Sequence, residues 1–190
     1  MKLDGKKILI TGGGSGIGLE LAGRLAGTNQ VVIAGRDEAR LERARTEVPA
    51  LGTRRLDVTS EAEAQAAFEW LTSELGGLDL LVNNAGLLRG YGLSADEAET
   101  KAVEDLHVNV LGALRMTRLA LPLLEASREG AVLFMSSAVA LTAVPGFAVY
   151  AATKAAVHSL ARSLRAELAR DPRRSSSPTR TARTDRAAVG

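Results

Sequence analysis

The chain has 190 residues, 46% of them hydrophobic, no cysteine, and a formal charge of +2. This suits one domain with a single core and excludes disulfides and thiolate metal sites. The charge is uneven: residues 170–190 hold six arginines against two aspartates, net +4, which leaves −2 for residues 1–169. The basic character therefore belongs to the tail and does not mark a nucleic-acid-binding domain. No stretch resembles a signal peptide. The most apolar run, residues 138–152, is too short for a bilayer and is interrupted by Pro145-Gly146. A cytoplasmic protein without membrane or nucleic-acid partners is expected.

Taken in chain order, residues 1–169 alternate two patterns. Apolar runs at 7–11, 30–34, 53–58, 78–83 and 131–136 predict strands. Helical periodicity is predicted over 17–26, 38–48, 61–75 and 148–169. Residues 98–126 predict one long helix, or two with a break near Pro122. Near-continuous apolar strands separated by helices imply an α/β fold: a three-layer, doubly wound, Rossmann-like parallel sheet. The tail is rich in Arg, Ser, Thr and Pro and without periodicity, so disorder is expected over 170–190.

Thr11-Gly12-Gly13-Gly14-Ser15-Gly16-Ile17-Gly18 joins the first strand to the first helix. Glycines let backbone approach a pyrophosphate, and the helix N-terminus offers it free N–H groups and a positive dipole end. A flexible turn is the plainer alternative.

Tyr150 and Lys154 lie four apart on a predicted helix and so share a face. A free phenol with a pKa near ~10 is a poor acid or base at neutral pH. A neighbouring cation favours the phenolate and brings that pKa toward the working range. Ser137, thirteen residues upstream, could hold a substrate oxygen beside the phenol. Tyr150 as a core ring with a bonded hydroxyl is the competing reading. His107 and His158 are too isolated to argue for a metal site.

The spacing of Gly12, Gly16 and Gly18, with Asn83-Asn84-Ala85-Gly86, Asn109, Ser137, Tyr150 and Lys154, resembles the short-chain dehydrogenase/reductase family. Wording around Gly35-Arg36, residues 106–114 and residues 151–168 resembles its DltE-like oxidoreductases. The likeness covers about residues 5–169. It implies an NAD(P)-dependent oxidoreductase that moves a hydride between nicotinamide and a carbonyl or secondary alcohol. Gly12, Gly14, Ser15, Gly16, Ile17 and Gly18 would cradle the cofactor. Asp57 and Val58 would contact adenine, and Asn84, Ala85 and Gly86 the adenosine ribose. Ser137 would orient the substrate oxygen and Tyr150 would handle the proton. Lys154 would hold the nicotinamide ribose and depress the phenol pKa, and Asn109 would hold a water that links Lys154 to solvent. The duller alternatives are that Asp57 caps a loop, Asn84 satisfies backbone, and Asn109 is a surface residue.

The second strand ends Ala34-Gly35-Arg36-Asp37. Glycine at 35 puts no acid there to repel a 2′-phosphate, and the Arg36 guanidinium could clamp one. NADP is favoured and NAD remains possible, because Asp37 could neutralise Arg36 or take the acidic role itself. Residues 87–94 and 141–147 would form two pocket walls, the latter apolar, which suits a small apolar substrate. The resemblance also implies a homodimer or homotetramer through helices 98–126 and 148–169. Two further strands and a substrate lid, which the family carries, are not recognisable after Ala169. A shifted reading frame or truncated gene product is one expectation, and a non-catalytic nucleotide-binding remnant is the alternative function.

Overall fold

The computed structural model describes residues 3–170. Its strands are β1 (Lys7–Thr11), β2 (Gln30–Gly35), β3 (Gly52–Arg55), β4 (Leu80–Asn83) and β5 (Ala131–Phe134). Its helices are α1 (Gly16–Ala26), α2 (Glu38–Glu47), α3 (Glu61–Ser73), α4 (Ala98–Leu106), α5 (Ala113–Ala126) and α6 (Ala148–Arg170). The expected tail, residues 170–190, lies outside the described residues except for Arg170, which is the last residue of α6. The chain divides into two compact units: Leu87–Val110 with the segment from Ser136 onward form the second, and the remainder forms the first.

The first unit is the parallel sheet, in order β3-β2-β1-β4-β5, with helices on both faces. The central position of β1 follows from its composition. Ile8, Leu9 and Ile10 are fully buried, so β1 has no face or edge exposed to water. Ile10 pairs with Ile33 on one side and Val82 on the other. Alternation then sorts the core. Ile8, Ile10, Val31, Ile33, Leu80 and Val82 face one way and pack with Ala22 and Ala26 of α1 and Leu41 and Ala44 of α2. On the opposite face Asn83 donates from Nδ2 to Thr117 Oγ1 of α5 at 2.9 Å, and α3 packs on α5.

Helix starts follow local chemistry. Asp37 caps α2 by accepting from Arg40 N at 3.0 Å, and Ser60 caps α3 by accepting from Glu63 N at 3.2 Å. Strand β3 ends at Arg55, before the expected Val58. The Asp57 carboxylate accepts from both Thr59 N and Thr59 Oγ1, which folds the segment into a turn. Among the described residues β5 is an edge strand, with Leu133 partly exposed.

In the second unit α4 packs on α6, and a 3₁₀ turn, Ala138–Ala140, also packs on α6. The expected break near Pro122 is not there: Pro122 lies inside α5. The irregularity is a π-helical stretch, His107–Gly112, which begins in the second unit and ends in the first. A proline removes one N–H and crowds one carbonyl, a cost that the buried Met116, Ala120 and Leu124 of α5 offset. At Asn109, by contrast, a buried side chain is drawn to partners outside its own helix, and π bulges accompany such sites. No described helix is long and apolar enough to cross a membrane.

Leu71 is fully buried on α3. Leu71→Ala should lower the unfolding free energy by about 2–5 kcal/mol. Urea titration should give a lower midpoint at unchanged slope; an unchanged midpoint would mean that α3 does not support this face.

Candidate active site

In the first unit the strand order reverses between β1 and β4, and the carboxyl ends at such a switch point are where doubly wound sheets bind ligands. Thr11 closes β1 with a buried hydroxyl that donates to Val82 O at 3.2 Å. The same oxygen accepts from Asn84 N and Ala85 N, each at 3.1 Å. Asn84 replies through Nδ2, which donates to Thr11 O and Gly12 O at 3.0 Å. This stitch holds the glycine loop flat against the strand tips.

The glycines then divide by physical need. Gly12 has φ +65°, and a Cβ there would lie 2.8 Å from Ala85 Cα. At Gly13 it would reach Ile33 at 2.6 Å; at Gly18 it would meet Asn84 Nδ2 and lie 2.7 Å from Gly12 O. Gly16 has φ +55° with open space around it, and Gly14 would be in ordinary contact with Arg40. Ser15 opens α1 without a side-chain cap, so no side chain covers the first N–H groups, and Ile17 is 68% exposed. Gly13 and Thr11 were missed from sequence because the spacing pattern counts only the first, fifth and seventh positions. The signal was a strand ending in Thr and three consecutive glycines.

At the tip of β2, Asp37 is committed to its cap and to Arg40 Nε at 3.0 Å. The carboxylate nearest Arg36 is Asp57, at a loose 3.7 Å, and Arg36 remains mostly exposed. Asp57 is thus both a loop cap, through Oδ1, and a neighbour of Arg36, through Oδ2. Burial raises its pKa, but the Thr59 bonds and Arg36 outweigh that and hold it below the usual aspartate value. Glu63 accepts from Asp57 N at 2.9 Å and pairs with Arg55, which lowers its pKa also. The carbonyl of Val58 accepts from Arg115 Nη1 at 2.7 Å, so α5 fixes this segment. Gly86 is exposed at the end of the loop after β4.

The second unit contains Asn109, Ser137, Tyr150 and Lys154. Lys154 Nζ lies 5.7 Å from the Tyr150 ring centroid, one helical turn away on α6. Lys154 is 6% exposed, and burial pushes its pKa below the ordinary lysine value. Ser137 starts the 3₁₀ turn and accepts from Val139 N at 3.4 Å. Its neighbour Ser136 donates from Oγ to Lys154 O at 3.3 Å, which registers this segment on α6. Asn109 is buried. It accepts from Leu87 N at 2.7 Å and donates to Leu87 O and to Thr153 Oγ1, both at 3.0 Å. Thr153 in turn donates to Tyr150 O at 2.8 Å. The Asn109 carboxamide is therefore a structural clamp, neither a surface group nor one free to hold a water with its amide nitrogen. Thr153 and Ser136 carry this arrangement unseen in the sequence, where small hydroxyl residues look interchangeable.

The family model described as short chain dehydrogenase matches residues 6–172. The chain belongs to the short-chain dehydrogenase family. That is a family of oxidoreductases acting on CH–OH and C=O groups with NAD(P). The chain is 37% identical over 170 residues to "Uncharacterized oxidoreductase DltE" of Bacillus subtilis, covering 88% of this chain and 68% of that one. It is 34% identical over 174 residues to an "NADP-dependent 3-hydroxy acid dehydrogenase" of Schizosaccharomyces pombe, covering 87% and 67%. Among solved structures, NAD⁺-bound xylitol dehydrogenase superposes with a TM-score of 0.81 at 26% identity, over 89% of this chain and 67% of that one. The chain thus spans about two thirds of the length of these relatives, and 55% of a human relative that is 32% identical to it.

Two consequences can be measured. Gly18→Ala should destabilise by about 1–3 kcal/mol, because the clash is with backbone and a bonded carboxamide. Gly16→Ala meets no neighbour and should cost only the left-handed backbone penalty of about 1–2 kcal/mol; a Gly18→Ala loss smaller than the Gly16→Ala loss in denaturant titrations would refute the division. Asp57 has a lowered folded pKa, so its stabilisation is present above the unfolded value, about 3.9, and is lost as pH falls through the folded one. Asp57→Asn should flatten the acid limb of the stability curve below about pH 4; an unaltered limb would remove Asp57 from it.

Proposed function

We propose that this protein is an NADP(H)-preferring oxidoreductase that interconverts a carbonyl and a secondary alcohol on a small apolar substrate, with Tyr150 as proton donor and acceptor. One observation carries the reading: Tyr150 and the buried Lys154 face each other on one helix, in a unit that also holds Ser137 and the Asn109 clamp. An isolated phenol moves protons poorly at neutral pH, whereas a phenol coupled to an ammonium does not. Burial disfavours the cation on Lys154 and holds its pKa below the ordinary lysine value. Ser137 would hold the substrate oxygen by a hydrogen bond. With its carboxamide committed to Leu87 and Thr153, Asn109 would hold a water on the Lys154 proton path only through its backbone.

The first unit fits a dinucleotide. Gly12 and Gly18 leave room that a Cβ would fill, Gly16 is open above, and no side chain caps the start of α1. Gly12, Gly14, Ser15, Gly16, Ile17 and Gly18 would hold the pyrophosphate region, Asp57 and Val58 the adenine, and Asn84, Ala85 and Gly86 its ribose. Tyr150 and Lys154 would hold the nicotinamide ribose. A bound nicotinamide cofactor supplies the hydride donor or acceptor. The preference for NADP is supported by Gly35 and by Arg36, whose nearest carboxylate is too distant for a direct hydrogen bond while Asp37 is engaged elsewhere. One relative is NADP-dependent by name, and the superposed xylitol dehydrogenase holds NAD⁺. Exposed Leu88, Leu93 and Leu141 support an apolar substrate. A homodimer or homotetramer is part of the same reading, supported by exposed Val103 and Leu106 on α4.

Tyr150→Phe should reduce kcat by about a hundredfold or more while weakening NADPH by no more than the loss of one hydrogen bond, at most about tenfold; retained turnover in steady-state assays sinks the assignment. Arg36→Ala removes a charge-assisted contact and should weaken NADPH at least about tenfold more than NADH. Equal weakening in fluorescence titrations would make Arg36 a surface charge only.

A further inference from the structure

Asp105 lies on α4, outside the proton-handling set, and is fully buried. Its Oδ2 accepts from the Tyr91 hydroxyl at 3.0 Å, and its Oδ1 faces Arg89 Nε at 3.4 Å. Arg89 also donates from Nη1 to Glu104 at 2.7 Å. Tyr91 is held at a second point: its backbone N–H donates to Gly146 O at 2.8 Å. Gly146 has φ +79° and precedes Phe147, whose carbonyl accepts from Ala151 N in the first turn of α6. One residue earlier, a Cβ on Gly90 would lie 3.0 Å from the Phe147 ring. The segment's other end is fixed as well, because Leu87 gives both backbone groups to Asn109. Residues 87–92 are therefore fastened to α4 on one side and to the start of the Tyr150 helix on the other, all within the second unit.

Burying a carboxylate costs several kcal/mol unless it is paired, and an apolar side chain would fill the same space without that cost. What the carboxylate adds is direction. It accepts from one phenol and faces one guanidinium, and so fixes the register of the segment that carries both. Burial and the Asp105 bond both raise the Tyr91 pKa, so Tyr91 stays an O–H donor and does not share the proton work of Tyr150.

We propose that Asp105 is a positioning residue: through Tyr91 and Arg89 it fixes residues 87–92 against the Gly146–Phe147 turn and sets how tightly the substrate is held. This rests on the oxidoreductase reading above in taking residues 87–92 as a substrate wall. Tyr91→Phe keeps the ring and loses only the bond to Asp105; Asp105→Asn keeps an acceptor and loses the charge. The probe is 4-nitrobenzaldehyde, an apolar carbonyl, reduced with NADPH. Both variants should raise its KM about tenfold, the size of one lost bond to a charged group, with kcat within twofold and an unchanged pH profile and NADPH affinity. The double variant should be no worse than the more affected single variant, since Asp105→Asn weakens and Tyr91→Phe removes the same Tyr91–Asp105 contact. Hydrogen exchange of amides in 87–92 and 146–149 should rise together in both variants. Unchanged exchange overturns the proposal, and so does an unchanged KM, or a fall in kcat with a shifted pH profile at constant KM. A wild-type chain that NADPH and NADH neither stabilise nor serve in turnover refutes the oxidoreductase reading instead, and exchange alone then decides the role of Asp105.

Discussion

The contact on which the first unit depends is the close approach of two backbones at the tips of β1 and β4. Gly12 and Ala85 come so near that no side chain fits at position 12. The Thr11 hydroxyl and the Asn84 carboxamide bind the two tips across five hydrogen bonds. At this switch point in the strand order α1 begins at the tip of β1 with its first N–H groups free of a side-chain cap. Gly13 extends the same constraint to β2, since its hydrogen faces Ile33, one of the most deeply buried core residues. The loop geometry is therefore a product of core packing, and a dinucleotide site at that place inherits the rigidity of the sheet.

The second unit solves a different problem. It must bury most of a lysine ammonium beside a tyrosine and keep both in register. The device is a chain of neutral hydrogen bonds, Leu87 to Asn109 to Thr153 to the Tyr150 carbonyl, with Ser136 on the Lys154 carbonyl. Neutral groups orient the helix without adding a charge that would compete with Lys154. The π-helical stretch that carries Asn109 is where α-helical regularity gives way to that demand. Asp105 and Tyr91 continue the same lattice toward the segment after Gly86.

Charge placement at the ends of β2 and β3 follows from competition for a few carboxylates. Asp37 is drawn to the start of α2 because a helix N-terminus rewards an acceptor there. Glu63 is drawn to Arg55 and the Asp57 amide, and Asp57 folds onto Thr59. Arg36 is left with a distant partner on an exposed surface, which keeps its guanidinium available to an anion.

The order of strands and helices, the glycine turn, the family and the Tyr150–Lys154 pairing were legible in the sequence, because each rests on interactions local in the chain: a period of two or 3.6, a run of glycines, a spacing of four. What stayed hidden depends on partners far apart in sequence. Which glycine is sterically obligatory is decided by Ile33 and Asn84, and which helix is irregular is decided by Leu87 and Thr153 rather than by Pro122. Asp57 looked like either a ligand-facing acid or a loop cap, and only the folded turn shows one oxygen capping Thr59 and the other turned toward Arg36. Sequence by itself determined the family and which residues are candidates for its chemistry. Tertiary structure decided which of them are committed to holding the others, because a hydrogen bond between residues 87 and 109 or 91 and 105 leaves no periodic trace in the chain.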